Sequence, residues 1–175
     1  VENLVHRGFD VTLLELADQV LAPLDVEQSR VVEDVLRRHG VALALGEAVS
    51  GFVHQASGEI DVLTKAGTTY TANIVILALG VRPDTELAKS AGLKLGERGG
   101  IRVDEQMRTS DHDIYAVGDA VEVHDMVTGA DTLLALAGPA NRQGRIAADA
   151  IKGRPSRFRG VQGTAIIGLF GTTVA

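Results

Sequence analysis

Four places in this sequence set a chemically capable group where a ligand can meet it. The first is Ile114-Tyr115-Ala116-Val117-Gly118-Asp119. Its uncharged apolar run predicts a strand buried on both faces. Gly118 removes the side chain where that strand ends, so another backbone or a ligand comes close. Asp119 then sets a carboxylate at the carboxyl end of the strand, where open α/β sheets bind their ligands. Such a group accepts hydrogen bonds from hydroxyls. On its own the pair reads equally well as a plain turn. The second place is Glu15, closing the apolar run Val11-Thr12-Leu13-Leu14. A carboxylate there accepts from sugar hydroxyls and repels a phosphate, and Leu16-Ala17-Asp18 offers no arginine to receive one. A merely solvated Glu is the alternative. The third is Gly80, at the end of Ile74-Val75-Ile76-Leu77-Ala78-Leu79, where a flat ring can lie against bare backbone before Pro83 stops the strand. The fourth is the apolar stretch Ala135-Leu136-Ala137 leading into a helix at Gly138-Pro139, with Pro139 expected at the first helical position. All four are binding chemistry. The chain has no cysteine and five histidines without metal-ligand spacing, among which His112 and His124 read as loop residues. No catalytic residue and no metal site is expected here.

These groups need elements to hold them. A helix end over Val1–Arg7 leads to a strand over Val11–Glu15, the second half of a βαβ unit. Asp25 to His39 is the clearest helix, with Asp25 and Gln28 as a capping pair, an apolar face of Val26, Val32, Val35 and Leu36, and Glu27, Glu33, Arg37 and Arg38 turned to solvent. Val41 to Leu45 follows as a strand. Phe52-Val53 and Ile60-Leu63, with turns at Ser57-Gly58 and Ala66-Gly67, predict a small antiparallel meander over Val49–Ala72. The run at Ile74–Leu79 returns to the main sheet, and Thr85–Ala91 is a short helix. Ile101-Arg102-Val103 is a strand, and Val121–Thr132 a loop or partial hairpin. The helix from Pro139 to Lys152 has a small apolar face of Ile146, Ala147, Ala150 and Ile151. Ala165-Ile166-Ile167 and Gly168-Leu169-Phe170 begin new β structure with nothing to pair against.

Composition bounds the rest. The 175 residues are 45% apolar and 23% charged, as in a globular protein. With four Phe, two Tyr and no Trp, the core must rest on Val, Leu, Ile and Ala. A net charge of -6 argues against nucleic acid as a partner. No apolar run reaches the ~18 residues of a membrane span, so no membrane association is expected and a cytoplasmic location is the default.

Three strings in order, Ile76 to Asp84, Thr109 to Asp119 and Leu136 to Arg145, resemble the pyridine nucleotide-disulfide oxidoreductase family. The nearest branch is that of the CoA-disulfide reductases, NADH oxidases and NADH peroxidases. The resemblance covers essentially the whole chain. It implies an α/β, Rossmann-like three-layer FAD/NAD(P)-binding fold with a small antiparallel meander and two partial nucleotide-binding domains. Residues 1–96 would be the NAD-binding domain without its first strand and Gly-rich loop. Residues 97–158 would be the returning half of the FAD-binding domain, and 159–175 the start of a C-terminal dimerisation domain. The chain would be a fragment, with the FAD fingerprint and the redox cysteine upstream of Val1. By the same resemblance Asp119 binds the ribityl chain of FAD with Gly118 allowing the approach. Ala135, Leu136 and Ala137 line the flavin pyrimidine edge, Glu15 holds the ribose of NAD(H), and Gly80 approaches the nicotinamide. The implied activity is hydride transfer from NADH to flavin, and on to a disulfide, peroxide or oxygen as small-molecule acceptor, in a homodimer. A ferredoxin or rubredoxin reductase shares the Gly-Asp motif, but Gly138-Pro139-Ala140-Asn141 favours the disulfide-reductase branch. A non-catalytic nucleotide-binding fragment is the reading from another class, and the fragment itself is expected to be inactive.

Overall fold

The computed structural model describes all 175 residues, Val1–Ala175. In chain order its elements are α1 (Glu2–His6), β1 (Thr12–Glu15), α2 (Val26–Arg38), β2 (Ala42–Leu45), β3 (Val49–His54), β4 (Ile60–Thr64) and β5 (Thr69–Ala72). There follow α3 (Glu86–Ser90), β6 (Ile101–Arg102), β7 (Val121–His124), β8 (Asp131–Leu133), α4 (Ala137–Ile151), β9 (Ile167–Leu169) and β10 (Thr172–Val174). They form two compact units, Val1–Ala78 with Ala165–Ala175, and Leu79–Thr164.

In the first unit β1 and β2 pair in parallel, with Glu15 opposite Leu45, and α2 makes the crossover. The helix buries Val32, Val35 and Leu36. Val32 and Leu36 join Val20 and Val41 in a core flanked by Leu13, Leu43 and Leu45. Each such side chain, fully buried, contributes about 1.5–3 kcal/mol. The expected Asp25–Gln28 capping pair does not form, since Asp25 makes no side-chain cap bond. The start of the helix is anchored instead by Ser29, which is fully buried and donates its Oγ–H to the Val20 carbonyl at 2.7 Å. Glu33 is not turned to solvent. It is buried, and its carboxylate meets the Arg37 guanidinium at 3.1 Å, because the i,i+4 pairing lets the charge leave water. The meander forms as expected, β3 pairing with β4 and β4 with β5, all antiparallel.

The last residues do find a partner. β9 and β10 form an antiparallel hairpin, and Leu169, Phe170 and Val174 pack on the α2 core. Phe170, at the tip with φ 47°, stacks on the His39 ring at 3.9 Å and meets His6 edge-on at 5.6 Å. Their apolar area is covered by α2 rather than by a larger sheet.

In the second unit β6 pairs in parallel with β7, and β7 pairs antiparallel with β8, so Val121–Thr132 is a true hairpin. Its turn is held by Asp125, whose carboxylate accepts from the Val127 amide at 2.8 Å and from the Thr128 hydroxyl at 3.0 Å. Those bonds, the amide first, lower the Asp125 pKa. Met107, Val121, Val123, Ile146, Ala147, Phe158 and Val161 form the core.

Two apolar runs depart from the expectation of buried strands. Ile74–Leu79 joins no ladder, and Ile76 and Leu79 are 65% and 87% exposed. Ile114–Val117 is anchored by a single bridge, Tyr115 to Arg108, and Ile114 and Val117 are exposed. Strand hydrogen bonds come from a neighbouring strand; Ile74–Leu79 has none beside it, and Ile114–Val117 has only the short Met107–Thr109 segment, with the Thr109 amide donating to the Ile114 carbonyl at 2.9 Å and the Ala116 amide to the Met107 carbonyl at 3.0 Å.

Candidate functional site

Gly118 turns the chain with φ 91°, a conformation that disfavours any side chain. Its amide donates to the Gln143 Oε1 at 2.7 Å, and its carbonyl accepts from the Val121 amide at 3.2 Å. No atom beyond Gly118 and its two neighbours in sequence lies within 4 Å of where a Cβ on Gly118 would stand. The space beside the corner is open. Asp119 is exposed and takes part in none of the ion pairs or side-chain hydrogen bonds of the chain, so both carboxylate oxygens are free to accept. The residues before the corner are stiffened by Arg108. Its guanidinium donates to the Tyr115 hydroxyl at 3.1 and 3.3 Å and lies 5.5 Å from that ring's centre. The hydrogen bond to the Tyr115 hydroxyl, the largest cause, raises the Arg108 pKa above its ordinary value.

Helix α4 meets the same corner through Gln143. Leu136 is its extended N-cap (φ −129°, ψ 135°), and Ala140 N–H closes the first turn onto the Leu136 carbonyl at 3.2 Å. The helix therefore begins at Ala137, two residues before the expected start. Pro139 is the third helical residue, which costs nothing because the first four amides of a helix have no intrahelical acceptor anyway. No side chain caps this terminus and no acidic residue lies in its first turn, so the Ala137 and Gly138 amides point outward unpaired. Ala135 is exposed and Leu136 half-buried beside them.

Gln143 is the residue at this corner that sequence reasoning did not single out. It is 2% exposed, on the helix face that buries Ile146, Ala147 and Ala150. Ile151, expected on that face, is 62% exposed instead. The available signal was the 3–4 spacing from Gln143 to Ile146 and Ala147, which puts a polar side chain on an apolar face.

The other expected contacts lie elsewhere. Glu15, half-buried, ends β1 in the first unit. Its Oε1 accepts from the Ala17 amide at 2.9 Å, and its carbonyl accepts from the Glu47 amide at 3.0 Å. One oxygen remains for a ligand. No cationic side chain occurs from Leu16 to Leu24. Gly80 belongs to the second unit, with φ 82° and open space over its Cα. The structure thus brings Gly118, Asp119 and the Ala135–Ala137 entry together through Gln143 in one unit, and keeps Glu15 in the other.

Residues 2–144 match the family model described as pyridine nucleotide-disulphide oxidoreductase. An NADH oxidase of Methanocaldococcus jannaschii is 39% identical over 161 residues, 91% of this chain and 35% of that protein. The NAD-dependent persulfide reductase of A. fulgidus superposes with TM-score 0.93 at 41% identity, covering 98% of this chain and 32% of that one. A FAD-dependent pyridine nucleotide-disulphide oxidoreductase of Desulfovibrio vulgaris gives TM-score 0.88 at 38% identity, covering 97% and 43%. The chain spans about a third of the relatives' length, and its fold is their α/β FAD/NAD(P)-binding fold. The chain belongs to the pyridine nucleotide-disulphide oxidoreductase family.

Proposed function

We propose that the protein carrying this chain is an FAD-dependent NADH oxidoreductase that delivers electrons to a small-molecule acceptor: a disulfide or persulfide, a peroxide or oxygen. The Gly118–Asp119 corner carries the reading, an acceptor without a partner beside open space and bare backbone. The residues present fit FAD. Asp119 suits the ribityl hydroxyls, and Gly118 admits them closely. Ala135, Leu136 and Ala137 suit the pyrimidine edge of the ring. The unpaired amides of Ala137 and Gly138, at the positive end of α4, favour negative charge there. Bound FAD would supply the redox chemistry, and this chain would hold it and set its electrostatics.

Glu15 would accept from the adenosine ribose hydroxyls of NAD(H) with its free oxygen. Without a nearby cation, and with Asp18 close in sequence, the same turn disfavours the extra phosphate of NADP. Gly80 would lie against the nicotinamide. The names of the relatives, NADH oxidase and NAD-dependent persulfide reductase, support NADH as donor and sulfur species or oxygen as acceptors. We assign residues 1–96 to the NAD-binding domain, 97–158 to the returning part of the FAD-binding domain and 159–175 to the start of a dimerisation domain. On the family resemblance alone we extend the reading to a cytoplasmic homodimer. No helix is long and apolar enough to cross a membrane.

The test is Asp119→Ala in the full-length protein. Loss of hydrogen bonds to a charged acceptor costs roughly 1.5–3 kcal/mol, so FAD should bind about 10- to 100-fold more weakly and be lost on gel filtration. Flavin content equal to that of the unaltered protein overturns the assignment.

A further inference from the structure

The buried face of α4 has one polar residue among Ile146, Ala147 and Ala150, and it is Gln143. A primary amide taken out of water is costly unless bonded. Its bond is long-range in sequence: Oε1 accepts from the Gly118 amide at 2.7 Å, 25 residues away. That amide belongs to the residue before Asp119, in a peptide turned by the positive φ of Gly118. Gln143 itself stands two turns into the helix that starts at Ala137. One side chain therefore joins the two places that the proposed function assigns to FAD.

From this geometry we infer that Gln143 is a positioning residue. It fixes the spacing between the Asp119 carboxylate and the α4 terminus, so that the tail and the ring of the flavin are held in one register. The inference rests on the proposed FAD reading. An apolar residue of the same shape would pack as well against Ile146 and Ala147, yet it would leave the Gly118 amide without its acceptor and the corner free to shift. The helix terminus would then meet the flavin ring at a different distance, and the stabilisation of charge on the reduced ring would change with it. Gln143 touches no reacting atom in this role. It acts through Gly118.

Two substitutions separate this role from packing. Gln143→Met keeps the unbranched shape and removes the strong acceptor, whereas Gln143→Glu keeps an acceptor oxygen. In the 175-residue chain, Gly118 amide hydrogen exchange should speed up about tenfold in Gln143→Met, the effect of one lost hydrogen bond. In the full-length protein the same variant should bind FAD about tenfold more weakly and shift the flavin reduction potential and visible spectrum. The KM for NADH should stay unchanged. Gln143→Glu should restore FAD affinity. Wild-type exchange and wild-type FAD affinity in Gln143→Met overturn the inference. A wild-type full-length protein that binds no FAD overturns the proposed function with it. Flavin present and indifferent to both substitutions overturns only the role of Gln143.

Discussion

Glu15 and Asp119 are both carboxylates at the ends of apolar runs, but the backbone uses them differently. Glu15 spends one oxygen on the Ala17 amide, which shapes the turn that would cradle a ribose, while Asp119 spends neither. Replacing Glu15 should therefore disturb both turn and ligand. Glu15→Ala in the full-length protein should raise the KM for NADH relative to NADPH, lowering the preference about tenfold, as expected for one hydrogen bond to a charged acceptor. Glu15→Gln keeps an acceptor for Ala17 and should lose less. Steady-state kinetics with both nucleotides measures this, and an unaltered preference removes the role. Both acids stand out in the sequence as candidates because of their type and their place after an apolar run. Gln143 and Glu33 do not. Periodicity assigns polar residues to the outer face of a helix, and only tertiary structure supplies the Gly118 amide or confirms that Arg37 folds back on Glu33.

The elements follow the same division. The run from Ile74 to Leu79 reads as a strand because hydropathy is a property of the residues, but a strand also needs a ladder, and none of its neighbours offers one. Local rules located α2 within a residue at each end and the meander with its turns. They misplaced the start of α4, since Pro139 is tolerated anywhere in the first turn. Packing within the second unit makes a sharper demand at Gly96 and Gly100. Glu122 is buried, and its carboxylate accepts from the Arg98 amide at 3.1 Å. A Cβ on Gly96 would collide with that carboxylate, and one on Gly100 would stand 2.9 Å from the Glu122 amide nitrogen. Backbone does not yield as a flexible side chain does. Gly100→Ala should thus destabilise the unit by about 1–3 kcal/mol, the usual range for overpacking. The measurement is urea unfolding of the 175-residue chain, and an unchanged midpoint would contradict the packing.

For the molecule as a whole, the α/β class and the family were readable from three motifs in order, each of which survives in the structure as a turn or a helix entry. The seating of the last eleven residues on α2 was not, because Leu169, Phe170 and Val174 contact residues far away in sequence. The chain holds one end of the proposed flavin site, and the resemblance puts the phosphate-binding Gly-rich loops outside these residues. We expect the 175-residue chain, expressed by itself, to purify without a yellow flavin spectrum. Stoichiometric bound FAD, read from the absorbance near the flavin maximum, would show that the Asp119 corner and α4 suffice.

The hairpin of β9 and β10 also sets an order of events during synthesis. Residues 165–175 complete the core around Val32 and Leu36, yet all of Leu79–Thr164 is made before them. The inserted unit is continuous in sequence and can close on itself while still emerging from the ribosome. The unit that surrounds it in sequence keeps part of its apolar surface in water until residues 165–175 have been made. Contacts of such wide separation form slowly, and chains held in that half-finished state are the ones that chaperones meet.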